Sequence, residues 1–202
     1  MALDSNRKAE QNRETSESQV KVSINLDGAA NYSVSTGSKM LDHLLDQLGR
    51  HGGFDLNIVS KSSNDPDGHH VAEDTGIVLG RAFSEALGDR KGIKRMGNAI
   101  VPLDEALSMV AVDLGGRGYS VFDMDFSTSI IGDLRSELVT HVLESFAREA
   151  KINLHVRILT GSNDHHIAEA TFKALAKSLN FAVQIDPRFN DITPSTKGTL
   201  TD

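Results

Sequence analysis

Two five-residue stretches decide how this chain is read: His69-His70-Val71-Ala72-Glu73 and His165-His166-Ile167-Ala168-Glu169. Each opens a run of helical periodicity, from His69 to Leu87 and from Ile167 to Leu179. On a helix, positions i and i+3 or i+4 share a face, so either histidine of a pair can meet its glutamate. The two adjacent histidines point about 100° apart, which suits them to two different ions rather than one. One isolated histidine is more often a satisfied surface or core residue than a ligand. The same five-residue pattern placed twice reverses that weighting.

Working outward, each pair is preceded by the same elements. Asp42-His43-Leu44-Leu45 lies in a helix running from Met40, with Ser38 as N-cap and Gly52-Gly53 as stop, and the strand Phe54–Val59 follows. His141-Val142-Leu143-Glu144 lies in a helix over Leu138–Ala150, and the strand Ile152–Ile158 follows. His141 stands 98 residues after His43, and His165 stands 96 after His69. This predicts an α/β chain of two duplicated halves related by a pseudo-two-fold. The divisions expected are a polar tail over 1–14, a first half over 15–97, a second over 98–186 and a C-terminal segment over 187–202. Val20–Leu26 alternates as a strand, with Asn31–Ser35 expected to return beside it as a hairpin across the Asp27-Gly28 turn. The segment 60–68 is expected to be a loop, and Tyr119–Phe126 a strand.

The 202 residues carry 21 Lys and Arg against 28 Asp and Glu, a net charge of −7, which argues against nucleic-acid binding. Absence of Cys excludes disulfide scaffolds, iron–sulfur clusters and thiol chemistry. No run of 18 apolar residues spans a membrane, and no secretion or transit signal is visible, so a cytoplasmic location is expected. Six of the eight histidines and two glutamates form the candidate metal set: His43, His69, His70, Glu73, His141, His165, His166 and Glu169. They predict two sites, each of three imidazoles and one carboxylate. Such donors suit Mn²⁺, Fe²⁺, Co²⁺ or Zn²⁺, and an octahedral ion would keep two positions for substrate. Arg95, Arg117 in Gly115-Gly116-Arg117-Gly118, and Ser195-Thr196-Lys197-Gly198 could grip a small anion such as a phosphate. Each of these alone is ordinary surface charge. Glu17, from spacing alone, is a strand-edge carboxylate.

These motifs, in order, closely resemble the imidazoleglycerol-phosphate dehydratase family. The resemblance runs over about residues 10–200, through Arg13–Glu17, Leu41–Leu48, the two His-His-x-x-Glu stretches, Arg95-Met96-Gly97, Gly116-Arg117 and Pro194–Gly198. It departs at Gly68 and Val71, where the family usually has Asp and Thr, and at Gly118, where it has Pro.

The resemblance implies a fold of two similar α/β halves with helices packed between two mixed sheets, as in domain 2 of ribosomal protein S5. It implies loss of water from imidazole glycerol phosphate to give imidazole acetol phosphate, in histidine biosynthesis, with two Mn²⁺ per active site. All eight candidate ligands map onto its metal set. Its substrate contacts map onto Glu17, His43, Gln47, His51, His69, Arg95, Arg117, His165, Lys173, Ser195, Thr196 and Lys197. A catalytic set of Glu17, His43, His70, Glu73, His166 and Glu169 follows, with Glu17 as proton-transferring carboxylate. The family also implies a homo-oligomer of twenty-four subunits built from trimers, with sites completed between subunits. The proton to be removed has no neighbouring carbonyl, so a metal-bound imidazolate is the expected route for its electrons. A dinuclear metallohydrolase acting on a phosphorylated molecule and a metal-storing cage are the alternatives.

Overall fold

In the first half, strand β1 (Lys8–Glu14) runs antiparallel to β2 (Ser18–Asn25), then come β3 (Tyr32–Ser35), helix α1 (Lys39–Gly52), β4 (Asp55–Ser62) and helix α2 (His69–Leu87). The computed structural model describes residues 7–62, 65–189 and 191–200. The second half repeats the order: β5 (Met96–Leu103), β6 (Ala106–Asp113), β7 (Tyr119–Asp123), helix α3 (Ser136–Ala150), β10 (Asn153–Thr160) and helix α4 (Asp164–Val183). The second half inserts a small hairpin, β8 (Ile130–Ile131) and β9 (Leu134–Arg135), before α3, and a 3-10 turn at Pro187–Phe189 follows α4. The sheet orders are β1-β2-β4-β3 and β5-β6-β10-β7, identical under the repeat. In each sheet the last-named pair, β3 with β4 and β7 with β10, is parallel and the rest are antiparallel.

The alternation in β2 sends Val20, Val22 and Ile24 inward, and α1 buries Met40, Leu41, Leu44, Leu45 and Leu48 along one stripe. The helices lie between the sheets and pack across the halves, α1 on α4 and α2 on α3. All of these surfaces merge in one core that includes Phe54, Phe83, Phe146 and Phe172. The α2–α3 contact is close because α2 turns glycines toward it. A Cβ on Gly76 would lie 2.6 Å from the Val142 carbonyl oxygen, and one on Gly80 2.6 Å from that of Phe146. At the other pair, the α1 N-cap Ser38 accepts from the Leu41 N–H, and Asp133, in the turn between β8 and β9, accepts from the N–H groups of Lys39 and Met40. The second half thus caps a helix of the first.

Several expectations are corrected. The segment 1–14 is not all tail: residues 8–14 are β1, a seven-residue edge strand. Ala9 is its only apolar residue, because its inward face meets α2 through polar pairs, Arg13 Nε to Asp74 at 2.7 Å and Gln11 to Glu85. An edge strand carrying charge is also protected from pairing with another chain. Residues 1–6 of the expected tail lie outside the described residues. A division at 97/98 cuts β5, which is the counterpart of β1 and belongs wholly to the second half. β3 does not form a hairpin with β2. Both edges of β2 are taken, by β1 and β4, so the chain crosses to the far side of β4. Asp55 pins the crossing, accepting from the N–H groups of Ala29 (2.9 Å) and Asn31 (3.0 Å); these bonds hold its carboxyl down at about 2. β4 reaches Ser62 into the expected loop, and β7 stops at Asp123, three residues short.

Gly80→Val should destabilise the fold by about 1–3 kcal/mol through overpacking of α2 on α3. A urea midpoint equal to that of the unsubstituted chain would show that the helices part without cost.

Candidate metal centre and anion pocket

The cross-half pairing of helices assembles two clusters, each drawing on both halves. In one, His43 from α1 meets His165 and Glu169 from α4. In the other, His141 from α3 meets His69 and Glu73 from α2. Within each cluster one donor atom per residue lies within 4.8 Å of the others. The Nε2 atoms of His43 and His165 approach the same Glu169 oxygen, at 2.9 and 3.2 Å, with ring centroids 5.4 Å apart. The His69 and His141 rings are 4.6 Å apart, and His141 Nε2 is 3.8 Å from Glu73. Helix starts fix the ligand-bearing turns. Asn163 caps α4, its side-chain oxygen accepting from the N–H groups of His165 and His166. Gly68, in the left-handed region at φ +77°, offers α2 no side-chain cap, and Asp65 serves instead by accepting from the N–H groups of His70 and Val71.

The two clusters are electrostatically unequal. Burial pushes the Glu169 carboxyl up, but the Lys173 ammonium at 2.6 Å and the His43 imidazole outweigh it and hold the group at about 2. The residue one turn after Glu73 is Ile77, which is buried and uncharged. Lys173, expected as a substrate contact, is therefore committed to a ligand carboxylate in this chain. Gln47 donates from Nε2 to the His43 carbonyl within α1. Burial lowers the His51 imidazole below its ordinary value, and Lys173, Lys177 and Arg50 add to that shift.

The expected third imidazole is missing from both clusters, because His70 and His166 diverge from their neighbours. The rings of His69 and His70 stand at 82°, and those of His165 and His166 at 88°. His70 Nε2 lies 3.4 Å from Glu17, with Asp65 3.3 Å from its Nδ1. His166 Nδ1 is 2.8 Å from Glu105. That bond, with the Asn163 N–H, holds the Glu105 carboxyl down at about 2, and the same contact raises His166. Asp65 and Glu105 were not among the predicted site residues. Glu105 stands 88 residues after Glu17, in the matching turn of the repeat, but the 96–98-residue offset of the histidines does not point to it.

The group expected to grip an anion lines one cavity. Arg95, Arg117, Ser195, Thr196 and Lys197 line one cavity of about 910 Å³, between the C-terminal segment and the start of β5. Arg95 is held by a bidentate pair with Asp113 (2.7 and 2.9 Å) and donates to the Pro194 carbonyl (2.7 Å), tying the segment down. The Asp113 hydrogen bonds raise its guanidinium above its ordinary value. None of the cluster ligands lines this cavity. Met96, Phe181 and Phe189 form part of its wall.

The donors present fit a metal ion. Two imidazole nitrogens and a carboxylate converge in each cluster, and buried His141 Nε2 has no hydrogen-bond partner among the described residues. Duplicated halves carrying paired His/Glu clusters thus define an α/β scaffold with two groups of side chains that could hold a metal ion. The sequence profile of imidazoleglycerol-phosphate dehydratase matches residues 36–179. The chain is 52% identical to imidazoleglycerol-phosphate dehydratase of Dehalococcoides mccartyi over 188 residues, covering 93% of this chain and 94% of that one. It is 48% identical to that of Acidithiobacillus ferrooxidans over 195 residues, covering 96% and 98%. The crystal structure of the Staphylococcus aureus dehydratase superposes with a TM-score of 0.79 at 33% identity, over 89% of this chain and 99% of that one. A ligand complex of the Pyrococcus furiosus protein gives 0.80 at 31%, over 93% and 99%. The chain belongs to the imidazoleglycerol-phosphate dehydratase family and is an enzyme of the hydro-lyase class.

If each cluster takes one ion, titration with Mn²⁺ should saturate at about two ions per chain, and His141→Ala at about one. Many loosely held ions per chain would point to storage instead.

Proposed function

We propose that this chain removes water from imidazole glycerol phosphate to give imidazole acetol phosphate, in the cytoplasm, as a step of histidine biosynthesis, using two Mn²⁺ per active site. The observation that carries the reading is the pair of clusters, His43–His165–Glu169 and His69–Glu73–His141, in a chain whose cationic groups gather separately in one pocket. A substrate with a ring of two nitrogens at one end and a phosphate at the other matches that division.

His43, His165, Glu169, His69, Glu73 and His141 would hold the ions, with His70 and His166 completing the ligand set. Bound metal supplies Lewis acidity toward the ring nitrogens and a hydroxyl oxygen. Arg95, Arg117, Ser195, Thr196 and Lys197 anchor the phosphate and fix the distance from it to the reacting carbons. Glu17 is the proton carrier. Its carboxylate takes the proton as the C–H bond breaks, the C–H electron pair becomes the C=C bond of an enol as the C–O pair departs with the hydroxyl, and the proton held by Glu17 passes to that hydroxyl to give water. The enol left behind becomes the ketone. Gln47 and His51 stand on the same helix as His43, where they can contact the substrate.

The outward turn of His70 and His166 supports sites completed by another copy of the chain, in a twenty-four-subunit particle built from trimers. Each would donate its Nε2 across a subunit contact, and the phosphate pocket, which shares no lining residue with the clusters, would meet a neighbour's ions.

Incubating the protein with Mn²⁺ and imidazole glycerol phosphate should yield a ketone that keeps its phosphate. Release of inorganic phosphate would reverse the assignment to a hydrolase. Glu17→Gln should retain substrate binding and turn over at least ~100-fold more slowly; a near-native kcat would remove Glu17 from the mechanism. Chelation should shrink the particle on size exclusion, because the ligands come from distant elements and from different copies. An unchanged particle would separate assembly from metal.

A further inference from the structure

We propose that Glu105 is a positioning residue: it grips His166 from behind, through Nδ1, so that Nε2 is the atom offered to a metal ion. This rests on the metal reading above. Glu105 sits in the tight turn joining β5 to β6, beside Asp104, whose φ of +48° lies in the left-handed region. Its Oε2 is 2.8 Å from His166 Nδ1. Its Oε1 accepts from the N–H groups of Asn163 (2.8 Å) and Ser162 (3.3 Å), in the loop that leads into α4. One carboxylate therefore ties a turn of the outer sheet, the α4 entry loop and the ring of His166 into one unit. A carboxylate only accepts, so the imidazole proton resides on Nδ1 and the lone pair on Nε2. That is the arrangement by which a carboxylate behind a histidine fixes its tautomer and raises its basicity toward a metal. His166 Nε2 lies 3.9 Å from the Asp104 carboxylate.

The repeat sharpens the assignment. Glu105 occupies, in the β5–β6 turn, the place Glu17 occupies in the β1–β2 turn, 88 residues earlier. The two carboxylates address opposite sides of their histidines. Glu17 faces Nε2 of His70 at 3.4 Å, on the side where substrate and metal would lie. Glu105 faces Nδ1 of His166, on the side away from it. Duplication has thus given one carboxylate to proton transfer and its twin to support, whereas His70 Nδ1 lies 3.3 Å from Asp65 without a hydrogen bond to it.

The test is Mn²⁺ affinity, read from free Mn²⁺ by electron paramagnetic resonance, in the full-length chain carrying Glu105→Ala, Glu105→Gln, His166→Ala, and Glu105→Gln combined with His166→Ala. Glutamine is the decisive variant. Its carbonyl still accepts from Asn163 and Ser162, so the loop is kept, but its amide donates to Nδ1 and drives the proton to Nε2. Both single Glu105 variants should weaken one of the two ions about 10–100-fold, and Glu105→Gln should add nothing once His166 is alanine. Native affinity in Glu105→Gln, with loss in Glu105→Ala, would reduce Glu105 to a loop anchor and overturn the proposal. A further loss when Glu105→Gln is added to His166→Ala would also overturn it. An unsubstituted chain that takes up no Mn²⁺ would bring down the metal reading, and this inference with it. Native uptake that Glu105→Gln leaves unmoved brings down the inference alone.

Discussion

The helices of this chain pair across its two halves, α1 on α4 and α2 on α3, and the chemistry depends on that crossing. A half carries one histidine on its first helix and a His-His-x-x-Glu turn on its second, but those elements do not meet within the half. Each cluster takes its lone histidine from one half and its paired turn from the other. What permits the crossing is close approach of helix backbones, seen at Gly76 and Gly80 of α2, where any side chain would run into the α3 carbonyls. Packing that stabilises the fold and geometry that gathers the ligands are the same contact. Capping works across the halves as well, since Asp133 of the second half closes the first turn of α1 of the first.

A second constraint acts at the start of α2 and α4. Neighbouring residues on a helix diverge, so a histidine pair cannot serve one ion, and the near-perpendicular rings of both pairs show the result. His69 and His165 turn into the clusters, while His70 and His166 turn out. Each of the latter two lies against a carboxylate of a strand turn, His70 Nε2 3.4 Å from Glu17 and His166 Nδ1 2.8 Å from Glu105.

Most of this was legible in the sequence. The repeat, the four helices, the ligand-bearing turns and the start and stop of α1 follow from periodicity and caps, because there burial and local propensity agree. The Arg95, Arg117 and Ser195–Lys197 group gathers as expected. Two of the failures share one cause, which is polar pairing doing the work of apolar burial. β1 shows no alternation because Arg13 and Gln11 face acids on α2. The β2–β3 hairpin was misread because the turn residues Asp27-Gly28 look local, whereas the crossing is held by Asp55, 24 residues beyond Asn31. The assignment of ligands to clusters was out of reach for a different reason, since it depends on which helices touch, and periodicity does not report that.

The crossing also says something about ancestry. A single half of this chain would hold every ligand type yet no intact cluster; two copies facing each other would rebuild two identical ones. Such a symmetric pair is bound to bind both ions equally. Fusing the copies into one chain removes that obligation, and the halves do differ: one turn after the cluster glutamate stands Lys173 in one half and Ile77 in the other. An ammonium is held against Glu169, while among the described residues no lysine or arginine pairs with Glu73. The two clusters of the fused chain thereby differ in charge, with an ammonium held against Glu169 and a buried aliphatic side chain one turn after Glu73.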